Sequence, residues 1–274
     1  MAPSLSHLRR LSASLVSRSG EGERIATGCA EIDGVLQGGL GRNALHEICA
    51  SSSTHMPAAT AVALSLAAKA AGGKSLLWAR QSAAGYENGR PYPPGLGEIG
   101  VDPGRMVFVS AGDATAVLKA GVEAARCAAL GAVVIEPHGL PRELDLTASR
   151  RLLLAAESAG VFTLILTRGE PAASAASTRW RVSPAPSRAL QAGAPGFPSF
   201  ILRLLRQRGG VDRCEWCVEW DRDRACFQLR TEPALRREPL RPPLSGIVAA
   251  FPGDRQATAP EREDGQDIPR RRAG

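Results

Sequence analysis

Lysine is nearly missing from this chain: only Lys69, Lys74 and Lys119 occur, so the formal charge of +7 is carried almost wholly by arginine. A positive excess permits contact with nucleic acid or another acidic surface. An alanine- and arginine-heavy composition also follows from biased coding composition, so charge by itself does not choose between the two. Aromatic side chains are scarce as well, at 4% against 44% hydrophobic residues, and aliphatic side chains and alanine must do most of the packing.

Two more absences bound the setting. The amino terminus is polar and basic, without the apolar region of a secretory signal, and no apolar run is long enough to span a bilayer. A cytoplasmic protein with reduced thiols and no membrane contact is expected. The six cysteines include one CxxC pair, Cys214 and Cys217, with Cys226 nearby. Zinc sites normally need two such pairs, and redox pairs sit at helix amino termini rather than in β-runs. His46, His55 and His138 show no ligand spacing. Neither a metal nor a cofactor is expected.

What is present is an alternation of strand and helix signals. Residues 1–23 place Leu5, Leu8, Leu11 and Leu15 on one stripe of a short helix, Ser4 to Ser17, followed by a Gly-rich link. From Arg24 the runs Ala44–Cys49, Lys74–Ala79, Arg105–Ser110, Ala132–Glu136 and Val161–Thr167 read as strands. Helices are expected over Ala58–Ala71, Ala114–Leu130 and Leu146–Ala159, the last opened by Asp145 as N-cap. Continuous apolar strands separated by helices indicate a mostly parallel α/β sheet flanked by helices. After Gly169 the runs Trp180–Ser183, Phe200–Arg206, Cys214–Trp220 and Ala225–Arg230 are joined by Pro/Gly turns. They fit an antiparallel extension of the same sheet, from about residue 170, or a small β-subdomain. Residues 24–230 are thus one core, and 231–274, rich in proline and charge, a largely disordered tail with a docking segment around Leu244–Phe251.

The stretch Ile25 to Thr60 carries the most information. Thr27-Gly28, Ile32-Asp33 and Gly38-Gly39-Leu40 lead into the strand Leu45-His46-Glu47-Ile48 and an alanine-rich helix, an order that resembles the opening of the RecA core. In RecA-type ATPases the loop between strand and helix is GxxxxGK[ST]. Glycines let the backbone approach the phosphates, the lysine reaches them, and the hydroxyl holds magnesium. Here that loop runs from Ala50 to Pro57 with neither glycine nor lysine; Met56 stands at the lysine and Pro57 at the hydroxyl. Without that cation, hydrolysis is not expected. Ser51, Ser52, Ser53 and Thr54 remain as a weak anion site, since helix amino termini attract anions. Arg80-Gln81-Ser82 follows the strand after which such enzymes carry a catalytic glutamate. Glu136 stands where they keep a carboxylate for the metal, but it is read as an exposed carboxylate at a strand end.

Several segments together resemble the ImuA family, RecA-like accessory proteins of a bacterial damage-induced mutagenesis cassette. They include Ala44-Leu45-His46-Glu47-Ile48, Gly100-Val101-Asp102-Pro103-Gly104-Arg105, Leu144 to Leu152, Ser177 to Val182, Leu204 to Gly210 and Trp216-Cys217-Val218-Glu219-Trp220. The resemblance spans roughly Arg24 to Arg230. It implies a RecA-like fold and a non-catalytic role in SOS-induced mutagenesis and error-prone translesion DNA synthesis. The implied partners are an ImuB-like Y-family polymerase relative and an error-prone C-family polymerase, with RecA and DNA as further candidates. Two other readings stay open: a DNA-dependent RecA-class ATPase with a divergent loop, and a cell-division inhibitor.

For direct DNA or partner contact the candidates are Arg179, Trp180 and Arg181, then Arg203, Arg206 and Arg208, and Arg150 and Arg151 on a helix. Alternating strand arginines share a face and pair with phosphates, and a tryptophan stacks on bases. The same residues also fit a solvated, charge-protected sheet edge or an ordinary charged helix face.

Overall fold

The nine runs expected as strands all enter one nine-stranded sheet. The computed structural model describes residues 22–230 apart from 172, 189, 191–193, 195, 211 and 212. The chain divides into two units, Met1–Glu232 and Pro233–Gly274. The helix expected at Ser4–Ser17, the tail 231–274 and its Leu244–Phe251 segment lie outside the described residues.

A two-stranded hairpin opens the fold, β1 (Arg24–Ile25) against β2 (Leu40–Gly41), with the short helix α1 (Ala30–Val35) between them. Then come β3 (Leu45–Ala50), α2 (Met56–Ala71), β4 (Ser75–Gln81), α3 (Ser82–Asn88), α4 (Pro93–Glu98) and β5 (Met106–Ala111). After these follow α5 (Ala114–Ala125), β6 (Leu130–Glu136), α6 (Leu146–Ala159) and β7 (Phe162–Arg168). The last strands are β8 (Thr178–Ala185), β9 (Ser199–Gln207), β10 (Glu215–Asp221) and β11 (Cys226–Leu229). The sheet order is β11-β10-β9-β8-β3-β7-β6-β4-β5. Strands β8 to β5 in that order are parallel, and β9 to β11 extend the sheet antiparallel. The late strands therefore continue the main sheet and form no separate subdomain.

The pattern of burial follows from sequence. Every residue of β3 is buried, and so are the first six of β7, as strands covered on both faces require. Beneath one face lies α2, packed with Trp78, Phe162, Trp180, Trp220 and Phe227. The other face carries α5 and α6, the latter through Leu152, over Val133, Ile135 and Ile165. Helix α6 starts as expected: Asp145 accepts from the Ala148 amide at 2.7 Å, and Gly160 ends the helix in the left-handed region at φ 71°. The helix expected to reach Leu130 stops instead at Ala125, because the sheet takes Leu130 as the partner of Ser75.

Alanine lets α2 come close to the sheet, and Gly131 is where this matters most. A Cβ there would meet the backbone Cα and O of Ala71 at 2.5 Å. Gly131→Ala is expected to lower stability by about 1–3 kcal/mol through overpacking, read as a reduced denaturant midpoint with an unchanged slope.

Candidate functional site

In open α/β sheets ligands sit at the carboxyl ends of the strands, so β3, β7, β6 and β4 define the place to look. After β3 the backbone forms a 3-10 turn over Ser53–His55 and runs straight into α2. No residue between Ala50 and Pro57 adopts a positive φ. The hydroxyls bond among themselves: Ser52 Oγ lies 2.8 Å from Thr54 Oγ1, and Ser51 Oγ lies 2.9 Å from His55 Nδ1. Met56, at the lysine position, is buried in the α2 core. Pro57 occupies the first turn of α2, where it supplies no amide.

Two strands away the carboxylate of Glu136 is fully buried, which corrects the reading of it as an exposed strand end. Arg80 and Glu136 are direct register partners on β4 and β6, so their side chains leave the sheet on one face. Arg80 Nε lies 3.1 Å from Glu136 Oε2, and Trp78 Nε1 donates to the same oxygen at 3.0 Å. The other guanidinium nitrogens donate to carbonyls of the segment above, Nη1 to Gly89 at 2.6 Å and Nη2 to Ala84 at 2.9 Å. Arg80 is only 3% exposed and stacks over Trp78 at 5.2 Å. Burial pushes the Glu136 carboxyl above the usual range, and the Arg80 guanidinium pulls it back. Outside this knot, Glu87 of α3 bridges Arg168 at 2.6 Å and His138 at 2.8 Å. These residues do not fit magnesium and a nucleotide triphosphate in the manner of a phosphate loop. The carboxylate already holds a guanidinium, α3 lies over it, and no lysine faces the loop.

The strand arginines form no open nucleic-acid face. Arg179 is buried, its Nε 2.7 Å from Glu47 Oε2, again a register pair, here of β3 and β8. Trp180 is buried against Trp216 at 5.9 Å, and its indole donates to Thr178 Oγ1 at 2.9 Å, so it offers no face for a base. Arg181 pairs with Glu170, Arg203 with Glu215 at 3.6 Å, and Arg206 donates to the carbonyls of Ser174 and Ala176. Period 2 puts Arg179 and Arg181 on one side as expected, but the carboxylates of that side satisfy them. Arg150, Arg151 and Arg208 are exposed, with no side-chain partner among the described residues. Sequence reading placed Arg80 where such enzymes carry a catalytic glutamate without reading its pairing, and missed Tyr86 and Tyr92, the chain's two tyrosines, at 89% and 70% exposure. Cys214, Cys217 and Cys226 are free thiols. Among the described residues no group of three or more His, Cys, Asp or Glu side chains could hold a metal, and no helix is long and apolar enough to cross a membrane.

A parallel sheet in this order, with α2 leaving β3 and a carboxylate ending β6, defines the RecA-like fold. The crystal structure of the RadB recombinase superposes on it with a TM-score of 0.54, covering 75% of this chain and 99% of that one at 12% identity. By sequence the chain is similar to "Protein ImuA" of Caulobacter vibrioides, from each of two strains, at 35% identity across 43% of this chain. The chain spans about half the length of those curated relatives, 52%. No family model matches it.

Two outcomes follow from the buried charges. Arg80→Met should cost about 3–5 kcal/mol by stranding the Glu136 carboxylate, whereas Arg80→Met with Glu136→Leu should recover most of it; paired denaturant titrations measure both. His46 is fully enclosed between Thr178 Oγ1 at 2.8 Å and the Gly41 carbonyl at 2.9 Å. Burial depresses its imidazole to about 4 from 6.5. The unfolded chain therefore takes up the proton first as pH falls. Stability should decline from pH 6.5 towards 4, by up to about 3 kcal/mol. His46→Gln should flatten that part of the profile in melts across the range.

Proposed function

We propose that this chain is a RecA-shaped accessory protein of damage-induced mutagenesis and error-prone translesion synthesis that docks partners and does not hydrolyse ATP. The observation that carries the reading is the Arg80–Glu136 pair, closed over by α3. An arginine cation of the protein itself sits on the carboxylate to which a RecA-type enzyme would bring magnesium. The phosphate loop has become a self-bonded 3-10 turn. The likeness to ImuA supports the mutagenesis setting, and the sheet order supports the RecA-like body. An ImuB-like Y-family polymerase relative is the direct partner, with an error-prone C-family polymerase beside it.

The segment that seals the site also supplies a docking surface. Tyr86 on α3 and Tyr92 just beyond it are exposed in a chain with few aromatics. Tyrosine is enriched at the centres of protein interfaces. A purified full chain should show no ATP turnover above buffer, with or without single-stranded DNA. It should bind the ImuB-like partner in calorimetry, and Tyr86→Ala should weaken that binding about 30-fold, the size of an interface hot spot. DNA-stimulated hydrolysis that is abolished by Ser53→Ala or Thr54→Ala would overturn the non-catalytic reading. Unchanged partner affinity in Tyr86→Ala would move the docking face elsewhere.

A further inference from the structure

The main sheet ends in β11 on one side and β5 on the other, and the two edges are finished differently. At β11 the Phe227 amide donates to the Thr27 carbonyl at 3.3 Å, and a Cβ on Gly28 would run into Cys226, so the opening segment borders that edge. Strand β5 bonds β4 on one side, and on its other side no backbone hydrogen bond occurs among the described residues. An edge strand presents a row of unpaired N–H and C=O groups, and folded chains blunt such edges with charge, proline, a bulge or a covering segment. None of these protects β5 among the described residues. Its sequence is Met-Val-Phe-Val-Ser-Ala, and its register against β4 runs unbroken from Met106 to Ala111.

The side chains agree. Every residue of β3 is buried, whereas no residue of β5 is. Val107 is 45% exposed and Phe108 43%. As neighbours on a strand they point to opposite faces, so both faces of this edge are apolar and wet. The Phe108 ring stands edge-on to Trp78, 5.4 Å between centroids. Charge stands only at the two ends, Arg105 just before the strand and Asp113 two residues after it, both exposed. Arg105 lies 3.4 Å from Asp102 and donates to the Gly73 carbonyl, and an exposed ion pair of that kind is held weakly. Asp113 caps α5 through one oxygen, 2.8 Å from the Ala116 amide.

We infer that β5 pairs antiparallel with β5 of a second copy of this chain about a twofold axis, joining two sheets edge to edge. A twofold axis perpendicular to a sheet sets one residue opposite itself. With Val109 on that axis the ends meet with opposite charge, Arg105 of each copy beside Asp113 of the partner subunit. Parallel in-register pairing would instead set like charges together. An uncharged apolar centre with a cation at one end and a carboxylate at the other thus matches its own reversal, as a self-complementary patch must. In this register Phe108 faces Ser110 of the partner subunit and lies diagonal to Phe108 of the partner subunit, within reach for an aromatic pair. This goes beyond the docking role and does not rest on it, since Tyr86 belongs to α3 and not to the edge.

The test is sedimentation velocity of the full chain across a range of concentrations, where the parent should pass in one reversible step from monomer to dimer. Phe108→Lys and Phe108→Glu should each raise the dimer dissociation constant about tenfold, because the aromatic pair is lost and like charges are set diagonally. An equimolar mixture of the two variants should recover the dimer, since the introduced charges are then opposite. A variant that simply failed to fold would not be rescued by the other. A parent that stays monomeric at its solubility limit would overturn the pairing. So would assembly that grows past the dimer with concentration, which would mean head-to-tail contacts, and so would a dimer that Phe108→Lys leaves untouched. A monomeric parent whose binding to the ImuB-like protein is weakened by Phe108→Lys would give the edge to that protein instead of to a second copy.

Discussion

A carboxylate taken out of water needs a cation within reach, and the cation chosen decides what the surrounding fold can do. For Glu136 that cation is Arg80, one strand over and in register, so the pair forms as β4 and β6 zip together. Because a guanidinium has five donors in a fixed plane, Arg80 does more than neutralise. Its remaining nitrogens reach up to Ala84 and Gly89 and hold α3 down as a cover. A buried ion pair adds little net stability against an apolar substitute of equal volume. Its effect here is on geometry: it closes the crevice at the carboxyl ends of the strands, which in this fold class is where a ligand would enter.

A second pair repeats the arrangement on the other face of the sheet. Glu47 and Arg179 are register partners of β3 and β8, both buried. The two pairs tie both neighbours of the central strands to a single register, because a slip of one residue would leave buried charges unpaired on both faces. This is also why Arg179 cannot serve as a phosphate contact: its cation is already used inside the sheet.

Sequence alone showed the strands well, since nine apolar runs become the nine strands, and Asp145 and Gly160 bracket α6 as capping chemistry dictates. It missed α1, α3 and α4, of six or seven residues each; such helices are too short for a 3.6-residue period to repeat. The site was legible by absence. A loop without glycine or lysine reads as altered from sequence, but what replaces it does not. Period 2 says which arginines share a face and cannot say whether carboxylates stand opposite them. A usable signal was present all the same. Arg80, Glu136, Glu47 and Arg179 are charges inside or ending apolar runs, two of each sign, and buried charges occur in pairs. Pairing them correctly needs the sheet order, and the order β3-β7-β6-β4 is a property of tertiary packing.

Cations paired with carboxylates recur at both ends of the strands. At the carboxyl ends, the cations Arg80, Arg168 and Arg181 each have a carboxylate partner. An anion arriving there would have to displace a covalently tethered competitor whose effective concentration is high. At the amino ends, Arg42 likewise has a carboxylate partner, Glu23 at 2.7 Å. Charge that is cancelled locally contributes little field beyond a few ångströms, and uncancelled charge steers. A RecA-shaped body with its customary crevice sealed therefore keeps its buried and half-buried cations on its own carboxylates. Tyr86, on the cover over that crevice, stays exposed.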